Sequence, residues 1–478
     1  MGYLDVETSD AITARRNVIS RMRRRNALRT AYFDGEQRLS NLGVTIPPQM
    51  ESLATVVGWP KKAVKVRSDR LHPEGFRLPR ESELLERVDA ALDSVDFDVI
   101  DSQARETALQ YGCSFVFSSL DERGNLVLSL CTPENATANI DRRTGKVTSG
   151  LEMHDWTHGT FFMEEHIWEI EQRGNRWYVL EDQPARGRTT CTVYTHDATV
   201  RRPFGQSAIT RPVMGYTDAA VRTMLRQEVS AEFYSSPQRY MLGADPSMFE
   251  DENGNIRPAW ETILGSLLVA PDHIDEETLE RVTPSVGQFT QMSMQPHSDH
   301  LRSIAMMFAG ETSIPPSRLG VLHDNPASAQ AMLADEADLI TATEAQIPGF
   351  SRARKSLALD VASLIREKGE DPEAEFAQLT TRWRDPATPN AQSQAQAVTM
   401  LVSNGIIPAQ SRVTWEMMGF DDSTIRRLED DMRRAGNPGL LATLRAAADD
   451  AAADPTVADL ASRRGTETNE PDARALEE

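Results

Sequence analysis

Apolar and polar positions along the chain fall into a helical regime, a strand regime and a second helical regime. Over residues 11–31, Ile12, Arg16, Ile19, Arg23 and Ala27 alternate between faces at a helical spacing. "NLGVTIPPQ" breaks that pattern, and "ESLATVVGWPKKAVKVRSDRL" resumes a shorter helical one on either side of Pro60. Residues 98–111 predict an amphipathic helix carrying Ile100, Ala104, Ala108 and Tyr111, stopped by Gly112. From Cys113 the period drops to that of a strand. "CSFVFSSL" and "LVLSLC" alternate around a Gly-Asn turn, "ANID" with "VTSGLEM" and "HIWEIEQ" with "RWYVLE" repeat the pattern, and "TTCTVYT" adds a strand. Loops too short for crossovers make this region, 113–196, antiparallel.

Helical spacing returns after "RRPFGQSAITRP". A long helix is expected from about 213 to 236, with Val221, Leu225, Val229 and Phe233 on one stripe and Pro237 at its end. Residues 245–282 hold ten acidic and two basic residues among scattered Gly and Pro, an exposed and irregular acidic module. Helix resumes at 297–310 (Leu301, Ile304, Ala305, Phe308), followed by the loop "SIPPSRLGVLHDNPAS". Asn325 as N-cap and Pro326 at the first position open a helix that runs to Pro348. Further helices are expected at 350–368, 390–404, 409–418 and 423–435, and from about 449 an acidic tail without an apolar stripe reads as disordered.

Charge sharpens this picture. The 478 residues carry 51 Lys+Arg against 72 Asp+Glu, a formal net charge of -21. That disfavours a general DNA coat, because sequence-independent affinity comes from neutralising phosphates. Yet seven arginines crowd positions 15–29. They form either a solvated helix face paired with acidic neighbours or a basic surface for another subunit. Cys113, Cys131 and Cys191 lie far apart without metal spacing, so they read as small buried hydrophobes in a reducing compartment. The start "MGYLDVETSD" lacks the pattern of a secretory signal, and no apolar stretch approaches a membrane span. The expectation is a protein made and used in the cytosol, or in an assembly built there.

Catalytic signatures are missing: no GxxxxGK[ST], GxSxG, HExxH or EF-hand loop occurs. The one clustered ligand set is "HDWTHGTFFMEEH", with His154, Asp155, His158, Glu164, Glu165 and His166. On a strand, Glu164 and His166 would share a face and could meet His154 or His158 across a hairpin as a divalent metal site. A metal-dependent hydrolase built there is the enzymatic alternative. Outward-facing His and Glu on edge strands explain the same residues, and no second catalytic group supports chemistry. The sequence therefore assigns no catalytic residue, no metal and no cofactor.

Four stretches carry a family resemblance: "YFDGEQRLSNLGVTIPPQ" (32–49), "VVGWPKKAVKVRSDRLHPEGFRL" (56–78), "RPFGQSAITRPVMGYTDAAVRTMLRQEVSAEFYSSPQRYMLG" (202–243) and "SIPPSRLGVLHDNPASAQAM" (313–332). Over roughly residues 10–440 the chain resembles the portal proteins of tailed double-stranded-DNA phages, the actinobacterial siphophage type in particular. The resemblance implies a mostly helical α+β portal fold with wing, stem, clip and crown regions and an antiparallel β-rich insertion in the wing. It implies a ring, normally a dodecamer, at one capsid vertex, through which DNA is packaged and ejected. Terminase large subunit, head-completion adaptor, major capsid and scaffolding proteins would be its partners, with no membrane involved. It would reside in the virion and assemble in the host cytoplasm.

Mapped onto this chain, 1–112 would be a helical wing, 113–205 its β-rich part, 206–239 a first stem helix, 240–290 the acidic clip and 291–312 a second stem helix. Residues 313–370 would hold the tunnel loop and long wing helices, 371–448 a helical crown and 449–478 the tail. Leu319, Val321, Leu322, His323, Asp324 and Asn325 are the candidates for facing DNA, against packing between subunits, and Arg318 could cap or pair within the ring. Arg15, Arg16, Arg21, Arg23, Arg24 and Arg25 are the candidates for a subunit-facing or shell-facing basic surface. Another oligomeric head or tail protein is the remaining alternative, and the two long helices bracketing an acidic insert argue against it.

Overall fold

The basic helix is longer than its apolar period indicates: α1 runs Val6–Asp34, and the apolar residues buried along it, Ile12 and Ile19, are joined by Asn26 and Tyr32. The computed structural model describes residues 4–39, 56–174, 176–235, 239–243, 272–274, 281–288, 293–320, 329–387, 391–420 and 422–435. These divide into two units, Met1–Ala387 and Thr388–Glu478. Helix α2 (Trp59–Ser68) starts at Trp59 rather than straddling Pro60. Proline lacks an N–H and suits only a helix's first turn. Helix α3 (Glu83–Asp93) has no counterpart in the sequence reading, although Ser82 caps it by accepting from the Leu85 N–H at 3.0 Å. Helix α4 (Phe97–Tyr111) ends at Gly112 as expected.

Strands β2 to β9 form two antiparallel sheets. One is β3 (Leu126–Cys131), β2 (Cys113–Leu120) and β9 (Cys191–Thr195) in spatial order. The other is a five-stranded meander of β4 (Ala136–Ile140), β5 (Val147–Met153), β6 (His158–Phe162), β7 (His166–Arg173) and β8 (Arg176–Pro184). The meander is buried on both sides. Leu151, Met153, Phe161, Ile170 and Trp177 pack on Ile12 and Ile19 of α1. Ala136, Ala138, Phe162 and Ile167 pack on Phe115, Phe117 and Cys191 of the three-stranded sheet.

Helices α5 (Arg211–Ser235) and α6 (Gln295–Thr312) run antiparallel, since Thr210 meets Glu311 at one end and Ser230 meets His297 at the other. Val221, Leu225 and Val229 form the expected buried stripe, against Ile304, Ala305 and Phe308. Between the helices the described strands pair antiparallel, β10 (Arg239–Leu242) with β13 (Ser285–Gln288) and β11 (His273–Ile274) with β12 (Arg281–Val282). Helix α7 (Ala329–Glu344) precedes α8 (Ile347–Ile365), which carries Pro348 in its first turn instead of beginning after it. The proposed cap Asn325 and Pro326 lie outside the described residues. Residues 371–387 do not join the C-terminal helices: beyond the single turn α9 (Pro372–Glu375), β14 (Thr380–Trp383) pairs with β1 (Pro73–Arg77) in the first unit. No local signal announces a pairing across some 300 residues. The second unit contains α10 (Ala391–Ser403), α11 (Arg412–Met417) and α12 (Asp422–Ala435).

Two buried carboxylates hold the middle of the first unit together. Asp101 of α4, with no exposed surface, accepts from Arg105 Nε at 2.9 Å and Tyr194 Oη at 2.8 Å, and pairs with Arg354 of α8 at 2.7 Å. The Arg354 guanidinium also lies over the rings of Phe76 and Phe97 at 5.0 and 4.9 Å. Asp360 of α8 accepts from Arg188 Nε at 2.5 Å and Thr192 Oγ1 at 2.8 Å. Burial raises the Asp360 carboxyl above its ordinary range, and Arg188 partly offsets that.

A third junction joins the strands to α5. The His196 N–H donates to the Gly112 carbonyl and the Gln206 N–H donates to the His196 carbonyl, both at 2.9 Å. Gly112 sits at φ +107°, and a Cβ there would lie 3.1 Å from the Gln206 backbone, so this approach requires glycine. His196 Nδ1 lies 2.6 Å from the Gln206 carbonyl, as its donor, and burial lowers the ring's pKa to about 4.

Removing Asp101 leaves two buried guanidinium groups without their counter-ion. Asp101→Ala is expected to cost about 3–5 kcal/mol in urea unfolding of the first unit; a cost below about 1 kcal/mol would remove the carboxylate from its central role. His196 predicts a pH dependence. A base whose folded-state pKa is depressed contributes stability above its unfolded value and loses it on acidification. Stability should therefore fall between about pH 6.5 and about pH 4, by on the order of 3 kcal/mol, and His196→Gln should flatten that slope.

Candidate functional site

The described face of the basic helix divides its arginines between two environments. Arg15 Nε donates to Ser149 Oγ at 2.9 Å and its guanidinium lies 5.7 Å from the Phe161 ring. Arg16 lies 5.4 Å from the Trp177 ring and donates to Gln172 Oε1. Both are half-buried against the meander, and burial lowers the Arg15 pKa. Their long stems and planar heads extend the apolar contact of Ile12 and Ile19 rather than projecting into solvent. Arg23 is exposed but stacks at 5.4 Å on Trp156, itself exposed in the turn between β5 and β6. Arg21, Arg24 and Arg25 are exposed. Near the helix end Arg29 is drawn inward to the Tyr111 carbonyl, and burial with the nearby Arg25 charge lowers its pKa to about 10.

The second candidate is the segment between α6 and α7. A single 3-10 turn, Pro316–Leu319, follows α6 and closes at Gly320, whose φ of +85° only glycine adopts without strain. Leu319 is buried in the main core of the chain, where its apolar side chain anchors the turn. Val321, Leu322, His323, Asp324 and Asn325 lie outside the described residues.

What the structure does define is the clamp at the segment's base. Arg318 Nε donates to Glu336 Oε1 of α7 at 3.1 Å, and Arg70, just beyond α2, donates to Glu336 Oε2 at 2.8 Å. Arg70 also donates to the Pro386 carbonyl at 2.8 Å, Arg67 to the Thr312 carbonyl at 2.8 Å, and Lys62 to the Arg318 carbonyl. Burial raises the Glu336 pKa, but the hydrogen bonds from Arg318 and Arg70 outweigh it and hold the carboxyl below its ordinary range. Both ends of the 320–328 segment are thus tied through α2. Sequence reasoning missed Lys62, Arg67 and Arg70 as partners. Their signal is a repeat of basic residues, "KKAVKVRSDR", around an apolar stripe, which shows a basic face but not its target.

The metal hypothesis does not survive the strand register. His158 pairs with Glu171, while His166 starts the same β7 strand beyond the turn, five residues or roughly 17 Å away. Each histidine has a local partner: His158 lies 2.9 Å from Asp155, His166 lies 2.9 Å from Asp182, and His154 lies 3.0 Å from Thr160 Oγ1. Backbone N–H donation from Thr157 leads the interactions that hold Asp155 well below the ordinary carboxylate range. No group of three or more His, Cys, Asp or Glu suited to a metal occurs among the described residues. Nor, among them, is any helix long and apolar enough to cross a membrane.

Residues 20–436 match the phage portal protein family, SPP1 Gp6-like. The chain belongs to that family. Its curated relatives include the portal proteins of Mycobacterium phages L5 and D29, each 27% identical, covering 90% and 94% of this chain and 89% and 94% of theirs. Among solved structures it is similar to chains in the neck of an empty GTA particle computed with C6 symmetry (11% identity, TM-score 0.38, 74% of this chain and 88% of that one). A second similarity is to the neck of a native GTA particle computed with C12 symmetry (10%, 0.39, 76% and 89%). Family membership accounts for the mixed, mostly helical α+β architecture with antiparallel sheets, and makes the chain a structural virion component rather than an enzyme.

Glu336 is the shared acceptor, so Glu336→Gln should loosen both ends of the segment together. Limited proteolysis between residues 320 and 329 is expected to accelerate about tenfold, with little change in global unfolding. Since the Glu336 pKa is depressed in the folded state, its contribution is present above the ordinary glutamate range and is lost as pH falls through it, so acid should mimic the substitution in the wild type and add nothing in the variant.

Proposed function

We propose that this chain assembles into a ring of about a dozen copies at one capsid vertex and forms the conduit for double-stranded DNA during packaging and ejection. The observation that carries this reading is the family match over residues 20–436. In it, α5 and α6 form the stem, 240–290 the clip that meets the terminase large subunit and later the head-completion adaptor, and 320–328 the tunnel loop. The rest of the first unit forms the wing, beside major capsid and scaffolding proteins, and residues 391–435 lie in the crown. Assembly takes place in the host cytoplasm. DNA must slide through such a channel over its whole length. A net charge of -21, with ten acids and two bases in 245–282, keeps phosphate affinity low.

A ring closed by heterologous contacts needs two different complementary surfaces on each copy. The exposed Arg21, Arg24 and Arg25, beside Arg23 on Trp156, supply the basic one in this reading, facing a neighbouring subunit's acidic segment or the shell. Arg15 and Arg16 serve within the chain, holding the helix that presents the others.

Native mass spectrometry of the purified protein, with negative-stain images of the same sample, tests the ring directly. Closed rings with a central hole are expected; a protein that stays monomeric both alone and with scaffolding and capsid proteins would sink the reading. Reversing Arg21, Arg24 and Arg25 together to Glu should cut ring formation or incorporation into heads at least tenfold, counted in micrographs. Deleting residues 321–325 should leave rings intact and lower the DNA retained per particle, and filled heads with normal DNA content would discard the loop assignment.

A further inference from the structure

The two ends of α1 carry opposite and unanswered charge. Near its C-terminal end Arg29 is half-buried, and its Nη1 donates to the Tyr111 carbonyl and, at 3.5 Å, to Asn26 Oδ1. Its Nε and Nη2 form the edge of the guanidinium that takes a carboxylate by two parallel hydrogen bonds. Neither has a partner among the described residues, and neither is sealed from solvent. Arg25, one turn back on α1, and Arg202, beyond β9, are exposed and add two like charges, while no carboxylate acts on Arg29. Burial and these two neighbours lower its pKa. The carboxylates of this neighbourhood are engaged elsewhere. Glu134 accepts from Thr30 Oγ1 at 3.5 Å and from Tyr111 Oη at 3.4 Å, and Asp197 accepts from the Gln206 amide, whose own oxygen takes Arg202.

The other end is acidic. Glu164 and Glu165 are adjacent and exposed in the turn between β6 and β7, and their carbonyls accept the N–H groups of Gly187 and Ala185, which fixes the turn. With Glu7, Thr8 and Ala11 of α1 they line one groove. The bases beside them are committed. His166 pairs with Asp182 at 2.9 Å, and the half-buried Arg15 donates to Ser149 Oγ and the Ala11 carbonyl, both at 2.9 Å. The groove lies some 18 residues before Arg25 and Arg29 along α1, roughly 27 Å at the helical rise. No side chain spans that distance, so the acidic turn cannot reach the basic edge of its own copy. Complementary surfaces held apart on one element are what a heterologous contact between identical copies requires.

We propose that the Glu164–Glu165 turn of one copy docks on the Arg25, Arg29 and Arg202 edge of the next. The inference rests on the ring reading and names the acidic surface that the basic helix meets. Its test follows assembly of the full chain by native mass spectrometry across a concentration series. Glu164→Arg with Glu165→Arg, and separately Arg25→Glu with Arg202→Glu, should each raise the concentration for half-assembly at least tenfold. All four positions are exposed, so the folded monomer should tolerate the changes. The four changes in one chain should bring half-assembly back to within about threefold of the wild type, because the swapped charges again attract. Arg29→Lys keeps the charge but loses the two-bond edge, and should by itself weaken assembly about threefold. Rings that form equally well in both double variants overturn the inference and leave the ring reading standing. So does weakening in both without recovery in the fourfold variant, since unrelated damage does not cancel. If Arg25→Glu with Arg202→Glu instead abolishes binding of a labelled DNA duplex while rings form normally, phosphate is the occupant and the inference falls. If the wild type forms no ring alone or with scaffolding and capsid proteins, both readings fail together.

Discussion

Asp101 is where the helices and sheets of the first unit are obliged to agree. Its carboxylate has no access to water, so the cost of burying it must be met by Arg105 on the same helix, Arg354 on α8 and the Tyr194 hydroxyl on β9. Each partner comes from a different element, and a buried charge tolerates little displacement of any of them. Asp360 repeats the arrangement a turn and a half along α8, drawing in Arg188 and Thr192 at the start of β9. Helix α8 is thereby held at two points against the three-stranded sheet, and β14 follows it onto β1. Apolar packing supplies most of the stability here, but the two carboxylates decide which elements lie together.

The candidate surfaces hang on that frame. Helix α2 packs on α4 and α5 and directs Lys62, Arg67 and Arg70 to the end of α6, the turn after it and α7. Carbonyl and carboxylate acceptors on both sides of the 320–328 segment take these bonds. The same economy appears on α1. Arg15 and Arg16 lie over aromatic rings and fix the helix to the meander, Arg21, Arg24 and Arg25 remain outside, and Arg29 turns back inward to the Tyr111 carbonyl.

How much was legible depended on the range of the interaction involved. The helix at 97–111, the hairpin strands of 113–195 and the stripe Val221, Leu225, Val229 were readable because each is local: a period, a turn residue or a stop lies within a few positions. Strand β6 was missed because His158, read with its neighbours as a ligand, obscured the Gly-Thr-Phe-Phe run. A loop position does not disclose that the Leu319 side chain turns into the core. The metal reading failed on register alone, since residue spacing cannot say which ends of a strand two histidines occupy.

By itself the sequence determined the succession of helical and strand regimes, the acidic insert, the family resemblance and the lack of catalytic motifs. These follow from local periodicity, composition and matching stretches, which survive without any knowledge of contacts. Only the tertiary structure decided that β1 pairs with β14, that Arg15 and Arg16 belong to the chain's own packing and Arg21, Arg24 and Arg25 to its surface, and that Glu336 joins Arg70 to Arg318. Each of those outcomes is a choice among chemically equivalent partners. An arginine pairs equally well with any nearby carboxylate or ring, and burial in the folded chain is what selects one.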